Sequence, residues 1–435
     1  MDYQPNYYTD TLKSEGDYQP LSGPAETETL IIGGGLAGLS VAASLAERGD
    51  KSFILLEAGR IAYNASGRNG GQVLPGFSLD GMTLTKKVGL AAAQRLFAAT
   101  LDAQRLIKRR VAEHVMPISL PSGFVQLAWW DKPLELHEYV VFHNRHYGTD
   151  YVVWDKARTR QDFGSEKFQG AIFSAACGFQ LHPLQYAQGL ASAITRAGGA
   201  LHERSAVLRL QRDANGYNAE TADGSVRCRR VVLAGNTALA QCLSPRLHRA
   251  VLPLQTFMGV TRPLRDGELE AIKSSHCAYD MRGVMSYFRI VEDAENKRLL
   301  FGCEVRMKVP TDIGGIVRQE IAKLFPQLAG VELGRSWSGA IGYGRDYMPM
   351  IGQMAPDLYF STGHGGQGLA TTALGGEAIA NAIGGDDTML ALFAPFRLRP
   401  VNFWPVRKII VPTILWQTRR ADAAANGSNI ASGLT

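Results

Sequence analysis

The sequence predicts an α/β protein in which one helix-covered sheet is interrupted by strand-rich blocks, and three observations carry the prediction. An apolar strand at 29–32 runs straight into Gly33, Gly34 and Gly35, then an alanine-rich helix at 36–48 ended by Gly49, then a second strand at 53–56. A strand, a crossover helix and a further strand in that order make a parallel unit. Strands of the same character return only at 206–210 and 230–234, after a helix at 183–197. The stretches 124–130, 151–154, 258–261, 285–290 and 298–303 are rich in aromatic and branched residues and read as strands of another sheet.

Taken in order, residues 1–26 form a polar, proline- and glycine-bearing arm expected to lie on the surface. Residues 27–116 hold the parallel unit and an Ala- and Leu-rich helix at 90–110. Residues 117–181 are the first strand-rich block, and 182–253 return to the first sheet through 206–210, a turn at Asp223-Gly224 and 230–234. Residues 254–334 form the second strand-rich block. Residues 335–395 carry a late glycine loop and a helix of small residues at 370–383, and 396–435 form a basic, aromatic tail.

The opening unit has the chemistry of a dinucleotide site. Gly33, Gly35 and Gly38 stand in G-x-G-x-x-G spacing, with Leu36 and Ala37 starting the helix. Glycine permits the tight turn, lets backbone approach a pyrophosphate and closes helix on strand, while the helix N-terminus faces the negative charge. Glu57, followed by Ala58, ends the second strand, where a carboxylate accepts hydrogen bonds from ribose hydroxyls and repels a 2′-phosphate. Beyond it, Ser66, Gly67, Arg68, Asn69, Gly70, Gly71 and Gln72 form a second anion cradle, suited to a flavin's pyrophosphate and ribityl chain better than to a nicotinamide.

These two motifs, with 232–236 (Val-Leu-Ala-Gly235-Asn), Tyr287-Phe288-Arg289, 299–302 (Leu-Leu-Phe-Gly), Trp337-Ser338-Gly339, 346–352 (Asp-Tyr-Met-Pro-Met-Ile-Gly) and Gly363-His364-Gly365-Gly366-Gln367-Gly368, resemble the D-amino-acid-oxidase-type FAD oxidoreductases. Within them the chain is most similar to the gamma-glutamylputrescine oxidoreductase branch, which includes enzymes acting on L-pipecolate, from about Tyr7 to about Phe396. The resemblance implies a doubly wound, Rossmann-like FAD domain into which a mixed, largely antiparallel substrate sheet is inserted twice, with the flavin at the junction. It implies that Val207 packs on the adenine near Gly235, that Trp337 and Gly339 line the cofactor, and that the loop from Gly363 to Leu369 aims helix N–H groups at the flavin's pyrimidine edge. Close relatives carry His-Gly where this chain has Gln367-Gly368. Some relatives attach FAD through a cysteine before the Asp-x-x-Pro-x-Ile-Gly-like segment. This chain has none after Cys303, so noncovalent FAD is expected.

The implied reaction is hydride transfer to flavin N5 from the carbon beside a neutral amine nitrogen, giving an imine. Burial favours the uncharged amine, so no strong base is required. Tyr287 and Arg289 alternate on one strand and share a face, and Arg289 or Arg345 could clamp a substrate carboxylate. His364 could bond substrate or tune the ring, and Gln255 begins the second strand block. These clamps favour a small amino or imino acid such as L-pipecolate, with a gamma-glutamylputrescine-type polyamine as the alternative. Oxygen or a membrane quinone is the expected acceptor. An FAD-dependent tRNA-modifying protein, or a non-catalytic flavin-binding subunit, remains an alternative of another class.

Composition bounds the remaining partners. Five scattered cysteines, with no C-x-x-C pair and an odd total, indicate neither a disulfide framework nor a metal site, and so a reducing compartment. The net charge of +6 is spread without a dense basic run, and no nucleic acid partner is expected. No signal segment or apolar run of membrane-spanning length is seen, which points to a cytoplasmic protein. The tail mixes Phe396, Phe403, Trp404, Ile409, Ile410, Ile414 and Trp416 with Arg397, Arg399, Arg407, Lys408, Arg419 and Arg420, a composition suited to peripheral contact with the inner membrane face. Pro400, Pro405 and Pro412 are expected to break any long helix there.

Overall fold

A computed structural model describes residues 5–293, 296–403 and 405–425; Trp404 and the end of the tail lie outside them. The chain builds two sheets. In the first, strand Gly23–Ile32 lies between Phe53–Leu56 and Gly224–Leu233, with Ala200–His202 beyond the former and Leu358–Thr362 beyond the latter, all parallel. Strand Met350–Ala355 closes that edge antiparallel. The apolar runs set the register: Leu30, Ile31 and Ile32 sit beside Ile54, Leu55 and Leu56 on one side and Val231, Val232 and Leu233 on the other. All nine are buried, as both faces of a helix-covered parallel sheet require. Helix Leu36–Glu47 covers one face and packs against helix Gly368–Ile383, which also meets Leu90–Glu113.

The second sheet runs in the order Leu333–Tyr343, Leu252–Thr261, Asn296–Arg306, Tyr287–Asp293, Cys277–Asp280, Ser122–Ala128, Gly170–Gln180, Gln72–Val73, with Val152–Trp154 on Gly170–Gln180. Its pairs are antiparallel except Cys277–Asp280 with Ser122–Ala128. This is the mixed, largely antiparallel sheet expected. Helix Ile313–Leu324 covers one face over a core containing Phe257, Phe288, Phe301 and Phe325. Gln72–Val73 is the bridge between sheets, since the chain leaves the cradle directly into the second sheet's edge.

Three expectations are corrected. The strand expected at 206–210 lies at Arg209–Asp213 and pairs antiparallel with Gly216–Glu220 in an outlying hairpin; the short parallel strand at that edge is Ala200–His202, too short to show a pattern. The arm is not simply laid on the surface. Asn6 caps the turn Tyr7–Asp10, and Tyr7, Tyr8 and Tyr18 are buried, because Tyr8 meets the rings of His182 and Trp337 edge-on at 4.9 and 6.0 Å. The tail does form a helix, Val411–Ala425, after a wide turn at Val406–Ile410. Pro412 stands in its first turn, where a missing N–H costs nothing. Among the described residues no helix is long and apolar enough to cross a membrane.

Candidate functional site

The site begins where strand Gly23–Ile32 meets helix Leu36–Glu47. Gly33 has φ of 116°, and a Cβ there would lie 2.8 Å from the Ala234 carbonyl, so no side chain fits the turn. Gly35 opens the helix without a side-chain cap of its own. Ser66 reaches over from the cradle instead, and its Oγ accepts the Leu36 N–H at 2.9 Å. Glu57 accepts the Gly34 N–H through one carboxylate oxygen at 2.6 Å and the Gly59 N–H through the other at 2.8 Å, which fixes the carboxylate beside the turn. Ala58 follows in the same loop. Val207 is buried and Gly235 ends strand Gly224–Leu233 across the turn, with Asn236 Oδ1 accepting the Gly363 N–H at 3.2 Å. Two glycine loops far apart in sequence are thereby tied together.

The cradle is built by its own side chains. Asn69 donates through Nδ2 to the Ala65 and Ser66 carbonyls, while its Oδ1 accepts the Gly71 N–H at 2.9 Å. Arg68 donates to the Tyr63 carbonyl, and its own carbonyl accepts the Trp337 Nε1–H at 2.9 Å. Gln72 bonds the Ala278 and Phe288 carbonyls of the second sheet. Gly67 is buried beneath, and Gly339 has open space where a side chain would stand.

Tyr287 and Arg289 do share a face, and both meet the cradle: a Cβ on Gly70 would strike the Tyr287 ring at 2.9 Å, and one on Gly71 the Arg289 Nη2 at 2.5 Å. Arg289, however, is spent inside the protein. It is 7% exposed and donates to the Gly70 carbonyl (2.8 Å), Gln180 Oε1 (3.2 Å), the Leu181 carbonyl (2.9 Å) and the Tyr8 hydroxyl (3.3 Å). Tyr8 in turn donates to the Asn69 carbonyl at 2.7 Å. The guanidinium holds arm, cradle and second sheet together and is not presented as a substrate clamp. Arg345 is exposed in the loop before Asp346, two residues beyond Tyr343, whose ring meets Tyr347 edge-on at 5.8 Å. Gln255 alternates with Thr256 and Met258, which face Tyr287, so it lies on the opposite face of its strand, with Phe257.

The late loop carries positive φ at Gly363 and Gly365 and leads into helix Gly368–Ile383, again without a side-chain cap. Leu369 is buried in its first turn, and Ser78 Oγ accepts the Gly366 N–H at 3.1 Å. Both ring nitrogens of His364 are engaged inside the protein: it is buried, with Ser361 Oγ and Thr371 Oγ1 each 3.1 Å from a ring nitrogen. Burial lowers its pKa to about 4, so the ring is neutral. Gln367 Oε1 is buried without a hydrogen-bond partner among the described residues.

Sequence reading missed Tyr343, Thr256, Gln180 and Ser78. Tyr343 could have been found, because strand alternation places it on the face of Gly339. Burial pushes its phenol up to about 12 and raises that of Tyr287 as well, which feels Tyr8 and Tyr343 nearby. Both hydroxyls stay protonated at neutral pH, and neither is a base. Two helix N-termini whose own cap residues offer no side-chain acceptor, a carboxylate fixed beside the first, a glycine cradle that no Cβ fits and one orphaned amide oxygen suit a long anionic dinucleotide.

The pattern of the family described as FAD dependent oxidoreductase (DAO) matches residues 28–382. The chain is 31% identical over 402 residues to a "Probable oxidoreductase OrdL" of Haemophilus influenzae, covering 91% of this chain and 92% of that protein. It is 30% identical over 393 residues to the gamma-glutamylputrescine oxidoreductase of Escherichia coli, covering 89% and 91%. Among solved structures, glycine oxidase from Geobacillus kaustophilus superposes with a TM-score of 0.71 at 22% identity, covering 86% of this chain and 99% of that one, a likeness of fold. The chain therefore belongs to the DAO family of FAD-dependent oxidoreductases, and is an FAD enzyme acting on amines or amino acids.

Proposed function

We propose that the enzyme oxidises the terminal C–N bond of an extended, acylated amine of the gamma-glutamylputrescine kind, in preference to a small amino or imino acid. The observation that carries this reading is the commitment of Arg289 to four protein oxygens. With Arg289 so engaged, the side chains beside the cradle that remain are the phenols of Tyr287 and Tyr343 and the hydroxyl of Thr256, which suit a neutral amine better than a carboxylate next to the reacting carbon. Arg345, exposed in the loop that follows Tyr343, suits a carboxylate at the far end of a longer substrate. The full-length likeness to gamma-glutamylputrescine oxidoreductase supports the same class.

In this reading Gly33, Gly35, Leu36, Ala37 and Gly38 hold the pyrophosphate, Glu57 the ribose, residues 66–72 the cofactor's length, and the helix beginning at Gly368 the pole that gains negative charge. Bound there, FAD supplies the two-electron acceptor for a hydride leaving the carbon beside nitrogen. Tyr287 and Tyr343 wall the inner site and exclude water. In that desolvated space an amine is disfavoured as a cation, and it gives up its proton before reacting. Water then hydrolyses the imine to an aldehyde, and the nitrogen leaves as ammonia.

Anaerobic mixing of the flavin-loaded protein with gamma-glutamylputrescine, putrescine, L-pipecolate, L-proline and N-methylglycine tests the proposal through loss of flavin absorbance. The acylated diamine should bleach the flavin fastest. Faster bleaching by L-pipecolate or L-proline overturns it. Oxygen uptake compared with quinone reduction in the same preparation assigns the acceptor.

A further inference from the structure

The tail helix sorts its residues by face. Val411, Thr418, Arg419 and Asp422 follow one another at helical spacing and point inward. Val411 is buried, and Arg419 Nη2 donates to Glu304 at 2.8 Å and to the Val305 carbonyl at 3.0 Å. The Asp422 carboxylate accepts the Gly283 and Val284 N–H groups at 3.0 and 3.2 Å. This stripe fastens the helix to the second sheet.

Outside that stripe, the exposed side of the tail, from the stretch before the helix to Arg420, is apolar and cationic. Phe403, Ile409, Ile410, Ile414 and Trp416 are 40–54% exposed, and the Arg420 guanidinium lies 4.7 Å over the Trp416 ring. Arg397, Arg399, Arg407, Lys408 and Arg420 are all exposed, and none is in an ion pair among the described residues. From 396 to 421 the sequence has no Asp or Glu.

We propose that this face seats on an anionic lipid surface, with the isoleucines and aromatic rings at headgroup depth and the five cations against lipid phosphates. Exposed side chains of this kind, on a segment fastened to the protein through Arg419 and Asp422, match the chemistry of an interfacial segment. A second copy of the chain fits less well, because a two-fold interface sets each patch against itself and opposes its five cations with five more. The proposal does not depend on the substrate.

The test uses full-length, flavin-loaded protein sedimented with phosphatidylcholine vesicles, with and without phosphatidylglycerol. Binding is expected only with the anionic lipid, and it should be released by salt. The Arg407→Ala/Lys408→Ala pair should weaken partitioning roughly 30-fold, about fivefold per cation lost. Ile410→Glu/Ile414→Glu should abolish it, with melting temperature and turnover unchanged. Protein that stays in the supernatant with anionic vesicles, or binding that survives both double variants, overturns the proposal. A concentration-dependent dimer in analytical ultracentrifugation that Ile410→Glu/Ile414→Glu dissolves assigns the face to a second copy, and also overturns it.

Discussion

In Arg289→Leu, four buried oxygens lose their donor at once: the Gly70 and Leu181 carbonyls, Gln180 Oε1 and the Tyr8 hydroxyl. Leaving a buried acceptor unmade costs ~1 kcal/mol or more each, or about 4 kcal/mol in sum. Removing a desolvated cation and burying a leucine returns about 1–2 kcal/mol. The net loss is ~2–3 kcal/mol, a fall in Tm of roughly 5 °C at about 2 °C per kcal/mol for a chain this large. Because Gly70 and Gly71 lie directly against the guanidinium, flavin retention should fall with Tm. Heating wild type and variant while following released flavin fluorescence and far-ultraviolet circular dichroism measures both. Arg289→Lys, which keeps the charge but not the fork, should fall between them. A variant with wild-type Tm and flavin content, but a KM for an amino acid raised tenfold or more, would refute the reasoning and restore Arg289 as a substrate clamp.

Gly71→Ala should give a protein that loses FAD on gel filtration, since φ is +70° and the new Cβ would lie 2.2 Å from the Leu181 carbonyl; normal flavin content would show that the cradle yields. Arg345→Ala should raise KM for an acylated diamine about fivefold, ~1 kcal/mol for an exposed pair, with little change in kcat, Tm or the KM for putrescine. Burial depresses His182 to about 3, the Arg289 charge adding to it, and burial depresses His364 to about 4. The unfolded chain takes up protons near 6.5 that the folded chain refuses. Stability should therefore be level above about pH 7 and fall as pH drops from about 6.5 toward 4, by up to about 1.4 kcal/mol per pH unit for each histidine. His364→Gln should flatten that slope in urea titrations, and an unchanged slope would exclude His364 as a source. Trp337→Phe removes the bond to the Arg68 carbonyl and should cost about 1 kcal/mol in thermal unfolding.

The first sheet was legible because its signal is local: an apolar run, a glycine turn and a helix of small residues occupy consecutive positions, and each fits the others. The two faces of the cradle were legible for the same reason, down to the pairing of Tyr287 and Arg289 on one side of a strand. What those side chains meet was not. The acceptors of Arg289 come from residues 8, 70, 180 and 181, and no spacing rule joins them. His364 looked available because it sits among glycines, yet its hydroxyl partners at Ser361 and Thr371 appear only when strand and helix close on it. The tail misled through its prolines. Proline prohibits a helix only in the interior, and Pro412 falls in the first turn, where the amphipathic spacing that follows then becomes readable.

The central strand of the first sheet is made early, but its neighbour Gly224–Leu233 is synthesised only after the whole first half of the second sheet, and Leu358–Thr362 later still. From Ile32 to Gly224, at roughly 5–20 residues per second, a nascent chain waits on the order of ten to forty seconds with that strand's edge unpaired. The first sheet, though begun near the start, cannot be completed until Leu358–Thr362 has been made, with roughly a sixth of the chain still to come. Cofactor loading is therefore expected late in synthesis or after it, and chaperone dependence in the interval should scale with elongation time and not with the final stability of the fold.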